Sequence, residues 1–563
     1  MTGRLSVGIG FSLLLLACAP AAGPAAPGGP PAPQPVVPQA GAKAPEPVQA
    51  AVQRGGTFVQ GLPGSMPSCY TIQVVERSAN SALDHVYETL VRYDYLRAKD
   101  YRADLEAKPR LAERWEQPDP TTYIFHLRKG VKWHDGVPFT ADDVIATYNT
   151  TLKENFRSAA TWRVFKTIEK VDDNTLKMTT SGPAPMALVQ LGQPSDAHIL
   201  PKKYLDAGTM EQNCVGTGAF KVTSWEKTKI EQVANPDFYL KDDTGGKLPY
   251  MDKVRIIFGM NPSAQEAALA ADEMDLYHFN SFEGYDAFKK KVPDLKTETF
   301  WTHHNYSILF NLTRKPFDDM NVRQALNLII DRQKIMELVT AGKGKIGLPV
   351  VPGIKEGWGI PQEELFKMPG WRQPKEQDIA EGKRLLAAAG LGGGFKFDHV
   401  YIKTWSGAPL IEALPGLLKS HGIELEMRGL DGATVEKVAR EGSFDTVFRL
   451  VANFDPILRT DEFFYTKAAV AKAAGITDMG QDVLIDQLRT ELNPAKQKEL
   501  VRKIQEIVVN NHWTGPVGDP AVYAVTRGWV NNYRPSFAIQ PDVTATAEWL
   551  WLDQSQMPAK RKE

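Results

Sequence analysis

Cysteine is scarce in this chain, with three among 563 residues, and so is any excess of charge. The 66 basic and 67 acidic residues leave a formal charge of −1 at pH 7. That balance excludes the electrostatic footprint of a nucleic-acid binder and leaves no whole-molecule steering of charged ligands. No apolar run reaches the ~18–20 residues that a bilayer-spanning helix requires. Also missing are G-x-S-x-G, H-E-x-x-H and G-x-x-x-x-G-K-[ST] arrangements, so nothing local suggests a nucleophile elbow, a zinc helix or a phosphate loop. Gly216-Thr217-Gly218 is read instead as close backbone packing before a strand at Lys221–Trp225. The adjacent carboxylates Asp142-Asp143, Asp172-Asp173, Asp242-Asp243 and Asp318-Asp319 point different ways and lack the spacing of a metal loop. His303-His304 are neighbours on an extended chain and face opposite sides, which argues against a shared metal ion. No catalytic set, metal or cofactor is therefore expected.

What is present is a chain long enough for two or three domains with a large core. Its 43% hydrophobic and 24% charged residues are ordinary for a globular protein. At the N-terminus, Arg4 supplies a positive charge and Val7–Leu16 an apolar segment too short to span a membrane. The following Leu15-Leu16-Ala17-Cys18 resembles a bacterial lipoprotein signal. Residues 1–17 are then a signal peptide and Cys18 carries lipid, with ordinary cleavage near Ala17 or Ala19 as the alternative. Residues 18–53 form a tether rich in Pro, Ala and Gly, a composition without a core. Such a leash reaches up to ~3.1 Å per residue where it is polyproline-like. Cys69 and Cys214 remain in an oxidising compartment, either bridged or as two buried thiols.

Folded structure is expected from Arg54 onward. Thr57–Gln60 reads as a strand, 61–69 as a loop and Ala79–Leu90 as a helix with Leu83, Val86 and Leu90 on one face. In 111–152, Tyr123, Phe125 and Leu127 alternate with polar neighbours as in a strand. Val131 and Trp133 resume that alternation after the Lys129-Gly130 turn. Thr140 and Asp143 make a capping-box start for a helix whose stripe is Ala141, Val144, Ile145, Tyr148 and Leu152. Thr167–Thr180 reads as a hairpin around Asp172-Asp173-Asn174, with Val171, Leu176 and Met178 as buried candidates. Further helices are expected over Ala264–Asp275, from Val322, over Glu376–Ala389 before Gly390, and from Pro494 behind the cap Asn493.

The order LAERWE…YIFHLRKGVKWHDGVPFTADDV resembles the signature of the family 5 extracellular solute-binding proteins. LVRYD at 90–94, VGTGAF at 215–220 and LNPAKQKELVRKIQEIVVNNHWTGPV from Leu492 continue the likeness over most of 54–550. These are the binding proteins of ABC importers for oligopeptides, dipeptides, nickel and related solutes. The resemblance implies an α/β, two-lobe periplasmic-binding-protein fold, class II-like, closing by a hinge, with an extra subdomain in the first lobe. It places lobe I at 54–305 with the subdomain at about 95–204, lobe II at 306–520, and the return to lobe I plus the tail at 521–563. It implies a monomeric, non-catalytic receptor on the extracytoplasmic side, held to the membrane only by lipid. Its partners are a small organic solute or peptide and an ABC permease with its ATPase. A sensor or peptide chaperone of the same fold, and less so a secreted hydrolase, are the competing readings.

Solute contacts are expected near the lobe crossing. In peptide-binding relatives an acidic residue of an ADY segment pairs with the peptide ammonium; here the place is taken by Ala452-Asn453-Phe454. Asn453 is neutral, so the charge-assisted pair is missing there. Asp455, two residues on along an extended chain, either replaces it or shapes the turn before Pro456. Tyr306 and Asn311 on the crossing strand, loop residue Trp405, and Met66 and Ser68 after the first strand complete the candidates. Tyr306 and Trp405 suit solute contact and local packing equally.

Overall fold

Among the described residues the architecture rests on three larger β-sheets, of seven, five and four strands, beside two two-stranded ones. The structure is a computed structural model describing residues 52–74, 77–93, 107–154, 156, 158–194, 196–301, 305–347, 360, 362–403, 405, 407–452, 463–535 and 547–562. The signal and tether with Cys18, and His303, His304, Asn453 and Asp455, lie outside the described residues.

The strand Thr122–Leu127 buries Tyr123, Phe125 and Leu127 and turns the alternate residues outward. It lies between Ala112–Asp119 and Thr175–Thr180 in a four-stranded antiparallel sheet edged by Phe165–Asp172. The helix Ala141–Lys153 covers this sheet, and its capping box is complete: Thr140 N donates to Asp143 Oδ2 at 2.9 Å. Two expectations fail here. Val131 and Trp133 are buried, yet the segment forms a loop rather than a strand, with one bridge between Lys132 and Pro138. Hydrogen bonds from Trp133 N to Val137 O and from Phe139 N to Val131 O close the chain on itself before a ladder can extend. Val171 is 62% exposed because it lies near the outer end of the edge strand, whereas Leu176 and Met178 are fully buried on its neighbour.

The second sheet has seven strands, in the order Lys296–Trp301, Ala521–Thr526, Leu276–Phe279, Thr57–Gly61, Lys253–Ile257, Lys229–Ala234 and Phe220–Glu226. The third has five, in the order Ile423–Leu430, Phe395–Ile402, Thr446–Ala452, Asn305–Phe310 and Thr514–Gly518. Both are covered on two faces. In the five-stranded sheet Leu309, Val400 and Val447 enter one apolar cluster, and Ile308, Phe310 and Phe448 enter the other. The helices Met320–Ile329 and Glu376–Ala388 pack together beside it, and Pro494–Asn510 is capped by the Asn493 side chain as its sequence implies.

Between Leu83 and Leu90 the expected helix stops early, at Leu83. The carbonyls of His85 and Val86 accept from Phe220 N and Gly218 N at 3.1 and 2.9 Å, so they are diverted from helical bonding. Gly216 and Gly218 permit that approach: a Cβ on Gly216 would sit 1.8 Å from the Val86 oxygen. Beside this contact lies a buried ionic cluster. Arg110, at the entry to the four-stranded sheet, pairs with Glu548 from the C-terminal segment and lies 3.6 Å from Glu88. Tyr239 donates to Glu88 at 2.8 Å. Burial pushes the Glu88 carboxyl up to about 7 against the lowering effect of Arg110.

Two outcomes follow from this joint. Gly216→Ala should destabilise the protein by about 3 kcal/mol or more, because overpacking against backbone cannot relax by a side-chain rotation; denaturant unfolding measures it. The raised Glu88 pKa means that the folded state holds a proton that the unfolded chain releases. Its contribution is full below the ordinary carboxylate range and is lost as pH rises through about 7. Glu88→Gln should therefore flatten the decline of the unfolding midpoint across that window, whereas an unchanged slope would place the titration elsewhere.

Candidate functional site

The strands Thr57–Gly61, Lys253–Ile257 and Leu276–Phe279 run parallel, and Ala521–Thr526 runs against them. Lys296–Trp301 is antiparallel to Ala521–Thr526, so it exits at the same sheet edge as Gly61 and Phe279. The chain leaves the seven-stranded sheet after Trp301 to enter the five-stranded one at Asn305, and it returns from Gly518 to Ala521. In the five-stranded sheet, Asn305 pairs with Ala452 and Tyr306 with Gly518, while Phe395–Ile402 runs parallel to Thr446–Ala452. The carboxyl ends of the parallel strands in both sheets therefore meet at the two crossings. A crevice outside such strand ends is where open α/β sheets bind ligands.

A third segment braces the crossings. Lys345 and Asp519 exchange two backbone hydrogen bonds of 2.8 Å, and Trp301 Nε1 donates to Lys343 O at 2.6 Å. Tyr523, two residues beyond the return at Ala521, donates to Thr340 O at 3.0 Å.

The sequence candidates separate on this frame. Tyr306 and Trp405 come together at the carboxyl end of the five-stranded sheet, their ring centroids 6.1 Å apart. Tyr306 is buried and stacks on Phe448 at 5.4 Å and 15°, while Trp405 remains half-buried between the two apolar clusters. Gly407 is required under this pair, since a Cβ there would lie 2.7 Å from the Tyr306 ring. Phe448 and Gly407 were not singled out in the sequence; a glycine two residues beyond a loop tryptophan was the one available signal.

Asn311 is a correction. It follows the opposite end of its strand, about 16 Å from the crossing at ~3.3 Å per residue. Its amide donates to Gly442 O and Phe444 O at 3.0 and 2.9 Å, and its Oδ1 accepts from Thr313, so its polar atoms hold a turn. Met66 is fully buried in the core of the seven-stranded sheet and its amide donates to Lys227 O. Ser68 stays partly exposed, with Oγ accepting from Tyr70 N at 3.0 Å. Cys69 and Cys214 are joined as a disulfide, with Cα atoms 5.0 Å apart. Together with the bond from Ser158 Oγ to Ile72 O, that bridge fixes the loop after the first strand.

Buried histidines near the sheets are held neutral. Burial pushes His399 down to about 3, and its Nδ1 lies 2.7 Å from Thr446 Oγ1. Burial has the same effect on His278, whose Nε2 meets the Tyr533 hydroxyl at 2.8 Å. Among the described residues no group of three His, Cys, Asp or Glu is placed to hold a metal ion, and no helix is long and apolar enough to cross a membrane.

Residues 106–474 match the model of the bacterial extracellular solute-binding proteins, family 5 middle region. The chain belongs to family 5 of the bacterial extracellular solute-binding proteins. Heme-binding protein A of Haemophilus influenzae is 31% identical over 349 residues, which are 57% of this chain and 59% of that relative. The match thus spans little more than half of that relative's length. Di/tripeptide-binding protein 1 of Pseudomonas aeruginosa is 26% identical over 508 residues, 81% of this chain and 87% of the relative. The periplasmic binding protein DppA of Helicobacter pylori, solved with the peptide STSA, superposes with a TM-score of 0.71 at 22% identity. That superposition covers 89% of this chain and 99% of the other, which bears out the periplasmic-binding-protein fold.

Because the Asn311 amide is consumed by backbone, Asn311→Ala should cost about 1–3 kcal/mol by orphaning the two carbonyls, read by denaturant unfolding. Solute affinity of the variant, measured where it remains folded, should stay within twofold.

Proposed function

We propose that this family 5 protein is the extracytoplasmic solute receptor of an ABC importer. It captures a peptide-like or other small organic solute between two lobes and presents the closed form to a permease–ATPase complex. The observation that carries this reading is the convergence of the carboxyl ends of both sheets on two braced crossings, in a chain of this family. On this reading residues 54–305 form lobe I and 306–520 lobe II, with 521–563 returning to lobe I. Hinge closure makes the solute part of the buried surface, so its binding energy must exceed the cost of closing. Binding alone performs the task, so no bond in the solute need be broken. Lipid on Cys18 and the Pro-rich tether keep the receptor near the membrane while leaving it free to turn.

Trp405 supplies a half-buried aromatic face at the crossing, backed by the buried Tyr306 ring. Asn453 comes next in sequence after the strand Thr446–Ala452, and it is neutral where peptide-binding relatives carry an acid. A free-amine peptide therefore finds less charge complementarity here than a neutral or N-blocked solute does.

A thermal-shift series with peptides, N-blocked peptides, opine-like compounds, polyamines and metal chelates tests the proposal, since a true solute raises the melting temperature with concentration. N-blocked or neutral solutes should stabilise more than free di- and tripeptides. Saturable binding of free peptides that is lost in Asp455→Ala would instead assign the ammonium to Asp455. Turnover of a bound solute would overturn the receptor reading.

A further inference from the structure

The short helix Ala187–Leu191 belongs by sequence and position to the four-stranded subdomain, yet it is buried on two sides. Ala187 and Leu191, four residues apart and so on one face, enter the subdomain's own core with Ala184. Met186 and Val189, three apart, enter a different cluster, whose other buried members all lie between Leu309 and Trp513 in the five-stranded half. Met186 is 8% and Val189 7% exposed, so both side chains are almost completely covered. Among the described residues, the chain joining the subdomain to that half runs through the seven-stranded sheet and the two crossings. The contact made by Met186 and Val189 is therefore one across the crevice, between parts that hinge opening separates.

We propose that Met186 and Val189 are positioning residues for solute capture: a latch by which the four-stranded subdomain holds the two lobes closed. The latch rests on the receptor reading for its kinetic readout. The chemistry is plain apolar burial, which is non-directional and can be made and broken without leaving an unsatisfied polar group. The crossings are braced by directional backbone hydrogen bonds, while the latch is apolar packing, the kind of contact that hinge opening would break first. The subdomain then has a task that touches the solute only through the closed state. It sets how long the crevice stays shut.

The test uses the full chain and the solute found by thermal shift. Val189→Thr keeps the side-chain shape and adds a hydroxyl; Met186→Gln keeps the length and adds an amide. Stopped-flow binding should show the off-rate of the double variant raised about tenfold, the loss of roughly one buried side chain's worth of transfer energy, with the on-rate within about twofold. The melting temperature of the solute-free variant monitors folding, and Val189→Thr alone serves if the double variant is unstable. Small-angle scattering at one fixed solute concentration near half-saturation of the unaltered protein should give a larger radius of gyration for the variant than for the unaltered protein. An unchanged off-rate overturns the latch. If no solute raises the melting temperature, the receptor reading falls and takes the latch with it, whereas solute binding with an unchanged off-rate overturns the latch alone.

Discussion

The strand Ala521–Thr526 is the constraint on which the rest of the molecule depends. All six of its residues are buried, and it is paired on both sides, with Leu276–Phe279 and with Lys296–Trp301. It reaches that place only after the chain has built the whole five-stranded sheet. The seven-stranded sheet therefore cannot be completed without a second crossing, and two crossings make a hinge where one would make a tether. Such non-local pairing is entropically slow to form, but it ties the chain's late segment into its earliest sheet. The two crossings, their braces and the meeting of both sets of strand ends are consequences of this one insertion.

Buried charge marks the joints that the insertion creates. Asp275 is fully buried and accepts from Val59 N and Trp529 Nε1, each at 2.7 Å, while Arg561 closes the pair from the C-terminal turn. Glu88, Arg110 and Glu548 do the same where the first helix, the four-stranded sheet and the C-terminal segment meet. Ion pairs of this kind add little net stability over apolar packing, but breaking one leaves a buried charge without compensation. They favour one arrangement of distant segments over near alternatives. The apolar contact of Met186 and Val189 has the opposite character, since its parts can separate into water at modest cost.

Much of the local structure was legible. Alternation at Tyr123, Phe125 and Leu127, the Thr140–Asp143 capping box, the Asn493 cap and the tight backbone approach at Gly216-Thr217-Gly218 are properties of a few neighbouring residues, and the folded chain keeps them. The failures share a cause. Val131 and Trp133 had a strand's pattern but lay in a loop that satisfied its own hydrogen bonds, and the helix after Ala79 lost its carbonyls to a strand more than a hundred residues away. Asn311 and Tyr306 stood on one strand and seemed equally suited to a solute. Only the sheet's strand order shows that Tyr306 sits at the crossing and Asn311 at the far end.

The sequence by itself determined the family, the class of fold, many of the strands and caps, and the near-zero net charge that limits long-range steering. Those features come from residue type and short-range spacing, which act before the chain has a shape. The tertiary structure alone decided which strand ends converge, that Met66 belongs to the core, and that a helix of the subdomain reaches the other half. Those outcomes depend on contacts between residues far apart in the chain, for which periodicity carries no information.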